Sequence, residues 1–588
     1  MKLNGAEILV ETLIAHGVTD VFGFPGGTVI NLYDALYDYQ DQITHYLTCH
    51  EQGAAHAADG YARATGKTGV VIATSGPGAT NLVTGIATAY LDSTPMVAIT
   101  GNVASNLIGK DSFQEVDIVG ITMPVTKHNY MVKHIEELEE IVREAFQIAR
   151  SGRPGPVLID IPKDVQQARC EFHGGKPKPL LPIASVREEA LAAAAEMIDA
   201  SERPFVYAGG GLISCSAGEA LRVFAERIDA PVGLSIMGLT ALDSRHPLKH
   251  GLTGMHGHYV ASKMNADADL IIGIGVRFSD RATGSTSKYQ EKTKIIHIDI
   301  DGAEIDKNID SVISLVGDAA EILPRLTELV KRRENPTWIA QAELHRQEAK
   351  RLLAHEGEAQ REQEQQSLLQ QDEQQLLGQE GERRLEQRAP GTGFTPQSII
   401  HMVRGFTTDD TVISTDVGQH QMWVAQEYDF CVPRTLLTSG GLGTMGFGMG
   451  AAIGASVARG SARTVLFTGD GSFHMNMNEF VTAVTYGLPI VVVIFNNGSL
   501  GMVRQWQNLF FNQRYSNTTL KRKTDYPKLA EAFGGVGYRA TSLDELQAAL
   551  DAAFAYDGPV MIECLIDINE QVFPIIPAGG SFDDMIVK

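Results

Sequence analysis

TVLFTGDGS at residues 464–472 and IVVVIFNN at residues 490–497 are the stretches that decide the fold. Each begins as a run of apolar residues and ends in small or polar ones, which is typical of a buried strand that runs into a turn. The interval between the predicted strands, Thr464–Thr468 and Ile490–Phe495, is long enough for one helix and one returning strand. Both polar ends should therefore lie at the carboxyl edge of a parallel sheet, where open α/β sheets bind ligands.

The same alternation of strand-like and helix-like segments occurs in three regions, so the predicted fold class is α/β, with three doubly wound parallel-sheet domains. In the first region, a strand at Val70–Thr74 is followed by a turn, a helix and a second strand at Met96–Thr100. A chain of 588 residues is also too long for one hydrophobic core. We expect domains at 1–168, 185–333 and 394–565, and a C-terminal tail at 566–588.

Two shifts in composition mark the predicted boundaries. A stretch rich in Gly, Lys and Pro at 174–179 separates the first two regions, and residues 334–393 are dense in Gln and Glu. The spaced leucines of the second stretch permit a helix, but its composition cannot fill a core. We interpret it as an exposed, partly helical connector, and a partner-binding or oligomer-bridging helix is the alternative.

The formal net charge of −22 argues against nucleic acid and anionic membrane as partners, because both need a basic face. The charge itself indicates no more than solubility. No run approaches the roughly 18 consecutive apolar residues of a membrane span, and the N-terminus shows no secretory pattern. The five cysteines are scattered without paired spacing. We therefore expect a cytoplasmic protein with reduced thiols and no zinc site.

The two strand ends carry the residue types of a magnesium and phosphate site. Asp470 and Asn497 offer oxygen ligands that suit octahedral Mg²⁺. Gly471 allows a phosphate to approach the backbone, and Ser472 can donate to it from the start of a helix. An ordinary Asp-Gly turn beside an Asn-Asn loop is the alternative. The strand context and the pairing of the two motifs favour the metal site.

Gly-Asp-Gly at 469–471 with Asn-Asn at 496–497 resembles the thiamine-diphosphate motif of the pyruvate-oxidase and decarboxylase superfamily. The resemblance implies that Mg²⁺ binds Asp470, Asn497 and the backbone carbonyl of Ser499. It also implies that the segments VGQHQMW (417–423) and GGLGTMG (440–446) hold the cofactor, with Met445 as the apolar wedge under it; a core methionine is the alternative. The implied cofactor contacts are Pro77, Asn81, Gly418, Gln419, His420, Gly443, Met445, Gly471, Ser472 and Met502.

A thiamine enzyme also needs a carboxylic acid at N1′ of the pyrimidine, so that the cofactor can lose its C2 proton. A glutamate in apolar surroundings suits this task, since burial favours its protonated form. EQGAAHAADGYAR at 51–63 resembles the glutamate helix of the superfamily, which makes Glu51 the catalytic residue. Alone, Glu51 would be interpreted as a solvated helix residue; the small-residue helix and the turn SGPGATN at 75–81 favour catalysis.

In that superfamily, the glutamate of one subunit meets the diphosphate domain of another. The resemblance therefore implies a homodimer or a homotetramer, in which 1–168 binds the pyrimidine and 394–565 binds the diphosphate and Mg²⁺.

Four segments of the middle region resemble the flavin-binding segments of acetohydroxyacid synthases: GMHG (254–257), GVRFSDR (275–281), IDID (298–301) and GD (317–318). Asp299 at a strand end can accept from a ribose hydroxyl, and Arg277 can face a pyrophosphate. Each segment alone is a common turn, but the ordered set favours a flavin-bearing, biosynthetic-type enzyme. The implied FAD contacts are Arg153, Gly209, Gly210, Gly211, Met237, Gly254, Met255, His256, Gly275, Arg277, Asp280, Arg281, Asp299, Ile300, Gly317 and Asp318.

The substrate end is similar to the same family. MVRQW at 502–506 resembles the segment whose tryptophan packs on the acceptor ketoacid, although Trp506 also suits a core or interface aromatic. The implied substrate residues are Gly27, Phe113, Gln114, Lys127, Arg281 and Trp506, with Arg281 as a carboxylate ligand. Three departures stand out: Asn102 where Gln is usual, Ala-Ser-Asn at 104–106 in place of a Pro-Arg-Arg type run, and Gly450 where Leu-Pro is common. The first two bear on substrate or inhibitor binding.

The resemblance implies a catalytic subunit that decarboxylates pyruvate and condenses the hydroxyethyl-thiamine intermediate with pyruvate or 2-ketobutyrate. The products would be 2-acetolactate or 2-aceto-2-hydroxybutyrate, at the first common step of branched-chain amino-acid biosynthesis. Another thiamine-diphosphate ketoacid carboligase or decarboxylase is one alternative. A catalytically silent assembly subunit is another, and the presence of Glu51, Asp470 and Asn497 argues against it. The sequence leaves open whether a small regulatory subunit binds, which feedback inhibitor acts and which ketoacid is preferred.

Overall fold

The computed structural model describes residues 1–183, 185–352 and 393–587. Within these residues, three six-stranded sheets of parallel strands are flanked by helices, and one two-stranded antiparallel pair is formed in addition. The predicted α/β class with three parallel sheets is therefore confirmed. The chain divides into two compact units, Met1–Ile183 with Gly393–Glu570 and Ala184–Thr392 with Gln571–Lys588. The first unit holds two of the sheets and the second unit holds one.

The first region contributes one six-stranded sheet in the order β3-β2-β4-β5-β7-β6, and β1 pairs with β8 beside it. Its elements are β1 (Lys2–Asn4), α1 (Gly5–Ala15), β2 (Asp20–Phe24), α2 (Ile30–Asp38), β3 (Thr44–Leu47), α3 (Glu51–Thr65), β4 (Gly69–Ala73), α4 (Pro77–Asn81), α5 (Val83–Leu91), β5 (Met96–Asn102), α6 (Ile118–Thr122), β6 (His128–Met131), α7 (Ile135–Arg150), β7 (Pro156–Pro162), α8 (Lys163–Gln167) and β8 (Arg169–Glu171).

The second region forms a sheet in the order β11-β10-β9-β12-β13-β14. Its elements are α9 (Glu188–Ala200), β9 (Pro204–Ala208), α10 (Gly210–Ser214), α11 (Gly218–Ile228), β10 (Val232–Leu234), β11 (Lys249–Leu252), α12 (Tyr259–Asp267), β12 (Leu270–Ile274), α13 (Asp280–Thr283), α14 (Thr286–Gln290), β13 (Lys294–Asp299), β14 (Ile313–Val316), α15 (Ala319–Leu329) and α16, helical over 336–352.

The third region forms a sheet in the order β16-β15-β17-β18-β20-β19. Its elements are α17 (Pro396–Phe406), β15 (Val412–Thr415), α18 (Gln419–Glu427), β16 (Leu436–Leu437), α19 (Phe447–Ala458), β17 (Thr464–Gly469), α20 (Asp470–Asn476), α21 (Glu479–Thr485), β18 (Ile490–Asn496), α22 (Gly501–Phe510), α23 (Tyr526–Ala532), β19 (Val536–Ala540), α24 (Leu543–Ala555) and β20 (Val560–Leu565). Short 3-10 helices cover Ser105–Leu107, Met123–Val125, Ile236–Gly238 and Phe582–Asp584.

Each sheet reverses the direction of its strand order between two central strands, which places a crevice at their carboxyl ends. The reversal lies between β2 and β4 in the first sheet, between β9 and β12 in the second, and between β15 and β17 in the third. Ligands of doubly wound sheets bind at such switch points. The first and third sheets share one order, whereas the second has the order found in dinucleotide-binding sheets.

The first and third regions share a hydrophobic core, in which α3 packs on α19. Small residues allow the two helix backbones to approach closely. A methyl group at Gly60 would lie 2.2 Å from the carbonyl oxygen of Ala451, and one at Gly454 would lie 1.8 Å from the carbonyl oxygen of Ala57. Gly450, one of the departures from the family pattern, lies in the same contact, where a methyl group would be 2.7 Å from His56 Cβ.

The beginning of the Gln/Glu-rich stretch is not exposed, which corrects the interpretation of the whole stretch as an exposed connector. In α16, Trp338 is buried and its Nε1 donates to the carbonyl oxygen of Pro204 at 2.9 Å. One turn later, Ala342 is buried as well, and His345 Nε2 lies 2.9 Å from Asp267 Oδ2, a hydrogen bond that raises the pKa of His345. An apolar stripe at helical spacing docks α16 on the second region. The remainder of the predicted connector, 353–392, lies outside the described residues.

The C-terminal tail belongs to the second unit, since Ile576 and Phe582 are buried in its core. The backbone N–H of Ile576 donates to the carbonyl oxygen of Met255 at 2.8 Å. In the part of the chain that the structure describes, every helix is too short or too polar to cross a bilayer.

Candidate active site

The switch point of the third sheet brings together the residues predicted to bind magnesium and diphosphate. β17 and β18 pair in register, with Gly469 opposite Phe495, so Asp470 and Asn497 follow two adjacent strand ends. A methyl group at Gly471 would lie 3.9 Å from the carbonyl oxygen of Ser499, which places this predicted ligand at the same edge. The sequence-based expectation of one shared carboxyl edge is thereby confirmed.

Asp470 is buried, at 5% exposure, and burial raises the pKa of its carboxyl group to about 7. A buried carboxylate is costly unless a cation or hydrogen bonds stabilise it. Asn497 Oδ1 accepts from the Ser499 N–H at 3.0 Å, and Asn497 Nδ2 donates to Gln419 Oε1 at 3.3 Å. These contacts hold the Asn497 amide beside the strand end. The donor set fits a hard divalent cation.

His420 and Ser499 leave buried polar atoms unpaired at the same edge. His420 lies against Gly469, where a methyl group would be 3.0 Å from its Nδ1. Burial lowers the pKa of His420 to about 3, so its imidazole is neutral. Among the described residues, its Nε2 and the Ser499 hydroxyl have no hydrogen-bond partner. Such atoms are expected where a ligand completes the site.

Gln419 is locked between three segments of this region. Its Nε2 donates to Gln505 Oε1 at 3.0 Å and to the carbonyl oxygen of Glu570 at 2.8 Å. A methyl group at Gly501 would lie 1.9 Å from Gln419 Oε1, so a larger residue at the start of α22 would displace the Gln419 amide. Met502 and Trp506 follow on α22; both are half-buried, and the Trp506 ring lies 5.3 Å from that of Phe510. Trp506 is therefore not a core residue of this chain, and its role as an acceptor contact stays a prediction.

The loop that carries Met445 is anchored from both sides. Asp416 accepts from the backbone N–H of Gly446 at 2.8 Å, and burial raises the pKa of this carboxyl group to about 6. From the first region, Thr88 Oγ1 lies 2.7 Å from Thr444 Oγ1. Met445 itself is half-buried, which disfavours a core methionine. Gly443 and Gly446 have φ of 68° and 91°, a backbone conformation that favours glycine.

A buried charge cluster that the sequence analysis missed holds the start of this loop. Arg63 lies between the carboxylates of Asp59 and Asp92, at 2.9 Å from Asp92, and donates to the carbonyl oxygen of Thr438 at 2.7 Å. Asp92 also accepts from the backbone N–H of Gly441 at 2.7 Å. Burial alone would lower the pKa of Arg63, but the two carboxylates outweigh it and raise the pKa. Nothing local in the sequence pairs residue 92 with residue 441.

Glu51 begins α3 and lies against the turn that follows β4, at the switch point of the first sheet. Asn81 Nδ2 donates to Glu51 Oε2 at 2.9 Å, and a methyl group at Gly78 would lie 3.2 Å from Glu51 Oε1. The structure thus brings Glu51 together with α4, which begins at Pro77. Gly76 before it has φ of 61°.

Of the predicted substrate residues in the first region, Gln114 and Gly27 lie near the same switch point. A methyl group at Gly76 would be 2.8 Å from the Gln114 carbonyl oxygen, and Thr28, next to Gly27, bonds Thr74 at 2.9 Å. Phe113 is 86% exposed. Lys127 instead donates to the carbonyl oxygens of Ile148 and Ser151 at the end of α7, so its predicted contact with substrate has no support from its own hydrogen bonds.

Two departures from the family pattern have structural partners. Asn102 is buried and donates to Asp160 Oδ2 at 2.6 Å, while Thr100 donates to Asp160 Oδ1 at 2.7 Å. Ser105 donates to Asp164 from both its backbone N–H and its hydroxyl. Both substitutions therefore take part in local packing of the first region.

The predicted flavin residues of the second unit cluster at the switch point between β9 and β12. A methyl group at Gly209 would lie 2.2 Å from the Gly275 carbonyl oxygen, and one at Gly211 would lie 2.7 Å from Gly275 Cα. The two turns therefore meet backbone to backbone. Met237 packs beside Gly210, since a methyl group there would be 3.0 Å from Met237 Cβ.

The next strand ends supply the other predicted flavin contacts. Asp299 ends β13 and accepts from Asp301 N–H at 2.9 Å, and its carbonyl oxygen accepts from Gly317 N–H, also at 2.9 Å. Asp318 caps α15 by accepting from Ala320 N–H at 2.8 Å. Together with Gly275, which follows β12, these groups lie at the ends of the neighbouring strands β12, β13 and β14, the edge at which such sheets bind dinucleotides.

Around Met255, Arg281 and Asp280 form the exposed rim of this cluster. The Met255 N–H donates to the Arg281 carbonyl oxygen at 2.8 Å. The Arg281 side chain is 63% exposed and pairs with Asp280 at 3.7 Å. Outside the second unit, Arg153 Nε donates to Ser93 Oγ at 2.8 Å. Carboxylate binding by Arg281 and flavin binding by Arg153 stay predictions.

Comparison with known proteins gives matches along the whole chain. The thiamine pyrophosphate enzyme N-terminal TPP binding domain matches residues 3–121, the central domain matches 191–326, and the C-terminal TPP binding domain matches 416–564. The chain is 43% identical to the acetolactate synthase isozyme 2 large subunit of Escherichia coli, over 100% of both chains. It is 42% identical to a probable acetolactate synthase large subunit of Methanocaldococcus jannaschii, over 99% of this chain and 95% of the relative. It is 40% identical to the E. coli isozyme 3 large subunit, over 99% and 98%.

The matches cover the two regions that carry Glu51, Asp470 and Asn497, and they confirm the family resemblance drawn from the sequence. The chain belongs to the family of acetolactate synthase large subunits, which are thiamine pyrophosphate enzymes.

Proposed function

We propose that this chain is the catalytic subunit that forms 2-acetolactate from two molecules of pyruvate, and 2-aceto-2-hydroxybutyrate when 2-ketobutyrate is the acceptor. The observation that carries the proposal is the third-sheet switch point, where Asp470 and Asn497 follow adjacent strands. The loop with Met445 belongs to the same compact unit, as does α3 with Glu51. No assignment as a decarboxylase or another carboligase is favoured by the relatives, whose names specify acetolactate synthase.

Asp470, Asn497 Oδ1 and the Ser499 carbonyl would hold Mg²⁺, and Gly471 with Ser472 would approach the diphosphate. The raised pKa of Asp470 supports this assignment, because a divalent cation stabilises the ionised carboxylate that burial disfavours. The unpaired Nε2 of His420 supports a polar group bound at the same edge.

Thiamine diphosphate, when bound, supplies the acidic carbon and the electron sink for decarboxylation. The chain would hold a proton at the pyrimidine N1′ through the Glu51 carboxyl group, with Asn81 Nδ2 fixing the other carboxyl oxygen at 2.9 Å. Met445, half-buried on its anchored loop, would support the cofactor from below.

FAD would bind the second unit at the switch point between β9 and β12. Support comes from the strand order of this sheet and from its glycine turns, which pack backbone to backbone at the switch point where such sheets bind dinucleotides. The reaction involves no net redox change, so the flavin would be mainly structural. Purified protein should be yellow and should release FAD without covalent linkage. Colourless protein with full activity would instead favour a flavin-free enzyme.

A homodimer or homotetramer and a small regulatory subunit complete the proposal. The small subunit is supported by the names of the relatives, which are large subunits, and the homo-oligomer by the family resemblance. Size measured by light scattering, together with turnover, tests the assembly, and a fully active monomer contradicts a shared active site.

The decisive experiment measures products from pyruvate with thiamine diphosphate, Mg²⁺ and FAD present, with and without 2-ketobutyrate. Acetolactate as the main product supports the proposal, and acetaldehyde would identify a decarboxylase.

Asp470→Asn should weaken magnesium-dependent cofactor binding by at least about 10²-fold, since even the loss of a group that only bonds a metal ligand costs about 10–100-fold in metal affinity. Asp160→Asn is the matched control, because Asp160 is equally buried with a pKa raised to about 7, but is bonded to Thr100 and Asn102. Equal cofactor affinity in both variants would refute the metal assignment.

Glu51→Gln tests the catalytic residue separately. The amide keeps the shape but cannot hold the proton at N1′, so exchange of the cofactor C2 proton should slow by at least ~10²-fold while the cofactor stays bound. Exchange at the wild-type rate, measured by proton NMR, would remove Glu51 from this role.

A further inference from the structure

The backbone that leads into Glu51 is bonded by side chains from a distant helix. Residues 47–50 run from the last residue of β3 to the residue before α3, and three of their N–H groups donate to α21 and the residue that follows it. Leu47 N–H donates to the Tyr486 hydroxyl at 2.7 Å. Cys49 N–H lies 3.1 Å from both carboxylate oxygens of Glu479, and His50 N–H donates to the same carboxylate at 2.9 Å. The first turn of α3 is therefore fixed from outside its own sheet.

Glu479 is completely buried at this junction, and the hydrogen bonds of its carboxylate all come from donors. The Thr482 hydroxyl donates to Glu479 Oε2 at 2.7 Å, besides the two backbone N–H groups. Burial raises the pKa of Glu479, these hydrogen bonds oppose the rise, and the nearby Glu51 carboxylate adds to the rise. Removing a buried carboxylate that accepts from three donors is costly, because each donor would be left without a hydrogen-bond partner.

The sequence of α3 is shaped to receive this carboxylate. A methyl group at Gly53, in the first turn of the helix, would lie 2.3 Å from Glu479 Oε1, so any larger residue there would displace the carboxylate from its present position. By their spacing, one face of α21 and of the residue that follows it carries Glu479, Thr482 and Tyr486. The Tyr486 ring also packs 4.9 Å from the ring of Tyr46. The face thus contacts both the strand and the helix that flank the connection.

We propose that Glu479, supported by Thr482 and Tyr486, is a positioning residue for Glu51. By holding the first turn of α3, it sets the direction in which the Glu51 carboxyl group points. Among the described residues, the Glu51 carboxylate receives a side-chain hydrogen bond from Asn81, which lies on α4 and not at the start of α3. The inference rests on the proposed role of Glu51 as the group that holds the N1′ proton.

The same face also lies close along the chain to the predicted metal ligand. α21 follows α20, which begins with Asp470. One short stretch of chain therefore carries both the predicted metal ligand and the side chains that bond the start of α3. A shift of α21 would therefore move the start of α3 relative to Asn81. A displacement of a catalytic group by about 1 Å can lower the reaction rate by up to about 10²-fold.

Glu479→Gln in the full-length holoenzyme tests the proposal. A carboxamide has one acceptor oxygen and an NH₂ group that faces a backbone N–H, so the turn cannot keep all three bonds. We expect the cofactor C2 proton to exchange roughly tenfold more slowly, with thiamine-diphosphate affinity changed less than about threefold. Glu479→Asp, which keeps the charge, should restore part of the rate. Thr482→Val, which removes only the hydroxyl donor, should slow exchange less than Glu479→Gln does and serves if that variant does not fold.

Glu139→Gln is the matched control. Glu139 is buried on α7 and also accepts from two backbone N–H groups, those of His173 at 3.2 Å and Gly175 at 2.9 Å, but it does not contact α3. Both glutamine variants should lower the thermal midpoint. Only Glu479→Gln should slow C2 exchange, and equal exchange in the two variants would reduce Glu479 to a structural residue and overturn the proposal.

The double variant separates this inference from the function on which it rests. If Glu479 acts only through Glu51, Glu51→Gln with Glu479→Gln should exchange no more slowly than Glu51→Gln alone. Additive slowing would show that Glu479 acts by another route and would overturn the positioning role. Wild-type exchange in Glu51→Gln would instead refute the proposed role of Glu51, whatever Glu479→Gln does.

Discussion

The contact between α3 and α19 has no room for one additional methyl group at Gly454. In Gly454→Ala, the new carbon would lie 1.8 Å from the Ala57 carbonyl oxygen and 2.7 Å from the Tyr61 nitrogen. Both are backbone atoms of α3, so no side chain can rotate to make space. Even a tight contact of 3.0 Å requires the helices to separate by about 1.2 Å.

The expected cost follows from this geometry. Overpacking a well-packed core costs about 1–3 kcal/mol, and a rigid backbone contact belongs at the upper end. Alanine recovers up to about 1 kcal/mol through its higher helix propensity. The net destabilisation is therefore about 2 kcal/mol, equivalent to a fall of about 4 °C in the thermal midpoint for a unit of this size.

The loss of turnover should be larger than the loss of stability alone would cause. Glu51 begins α3, and Met445 lies just before α19, so separating the helices displaces both groups by about the same distance. A displacement near 1 Å lowers turnover by up to about 10²-fold. The assays are thermal unfolding by circular dichroism and steady-state acetolactate formation.

Gly405→Ala on α17 is the control, since no atom lies within 4 Å of the added methyl group. It should stabilise the protein by up to about 1 kcal/mol without changing turnover. If Gly454→Ala matched Gly405→Ala in midpoint and turnover, the backbone contact would not be present in solution.

Three further predictions follow from the other buried groups and from the connector. Arg63→Met should cost about 3–5 kcal/mol, because Asp59 and Asp92 stay buried without their cation; an unchanged thermal midpoint would contradict the cluster. Burial raises the pKa of Asp160 to about 7, so the native state binds its proton more tightly than the unfolded state, and stability should fall by up to roughly 4 kcal/mol as the pH rises from about 4 to about 7. Asp160→Asn should remove that decline, so its midpoint relative to wild type should rise from pH 5 to pH 8, and a constant difference would refute the shifted pKa. Replacing 353–388 by a short Gly/Ser linker should leave acetolactate formation within about threefold, less than 1 kcal/mol in barrier; dissociation in light scattering with loss of activity would show that the segment takes part in assembly.

Much of the architecture could be predicted because it is written in local patterns. The runs that became β17 and β18 are continuous and apolar, and each ends in a motif of small or polar residues. Period and spacing alone placed Asp470 and Asn497 at one edge of a parallel sheet. The relation of Glu51 to Asn81 was accessible only through resemblance, since no periodicity brings a helix start to a turn 30 positions later.

The missed residues share a physical reason. Glu479 and Arg63 resemble ordinary solvated helix residues, and their burial depends on partners more than 370 positions away. Local composition carries no record of such pairing. Composition also misled at α16, where Trp338 and Ala342 form a docking stripe within a stretch that is otherwise dense in Gln and Glu.

Late residues of the chain pack against early ones, and this has a consequence for the synthesis of the protein on the ribosome. Leu47 bonds Tyr486, which is 439 positions later. At about 5–20 residues per second, a ribosome needs roughly 20–90 s to supply that partner. Meanwhile the alanine-rich face of α3 has no α19 to cover it, and Met255 waits still longer for Ile576. Neither compact unit can close before the last part of the chain leaves the ribosome, so a chain released a few dozen residues early would leave both unfinished.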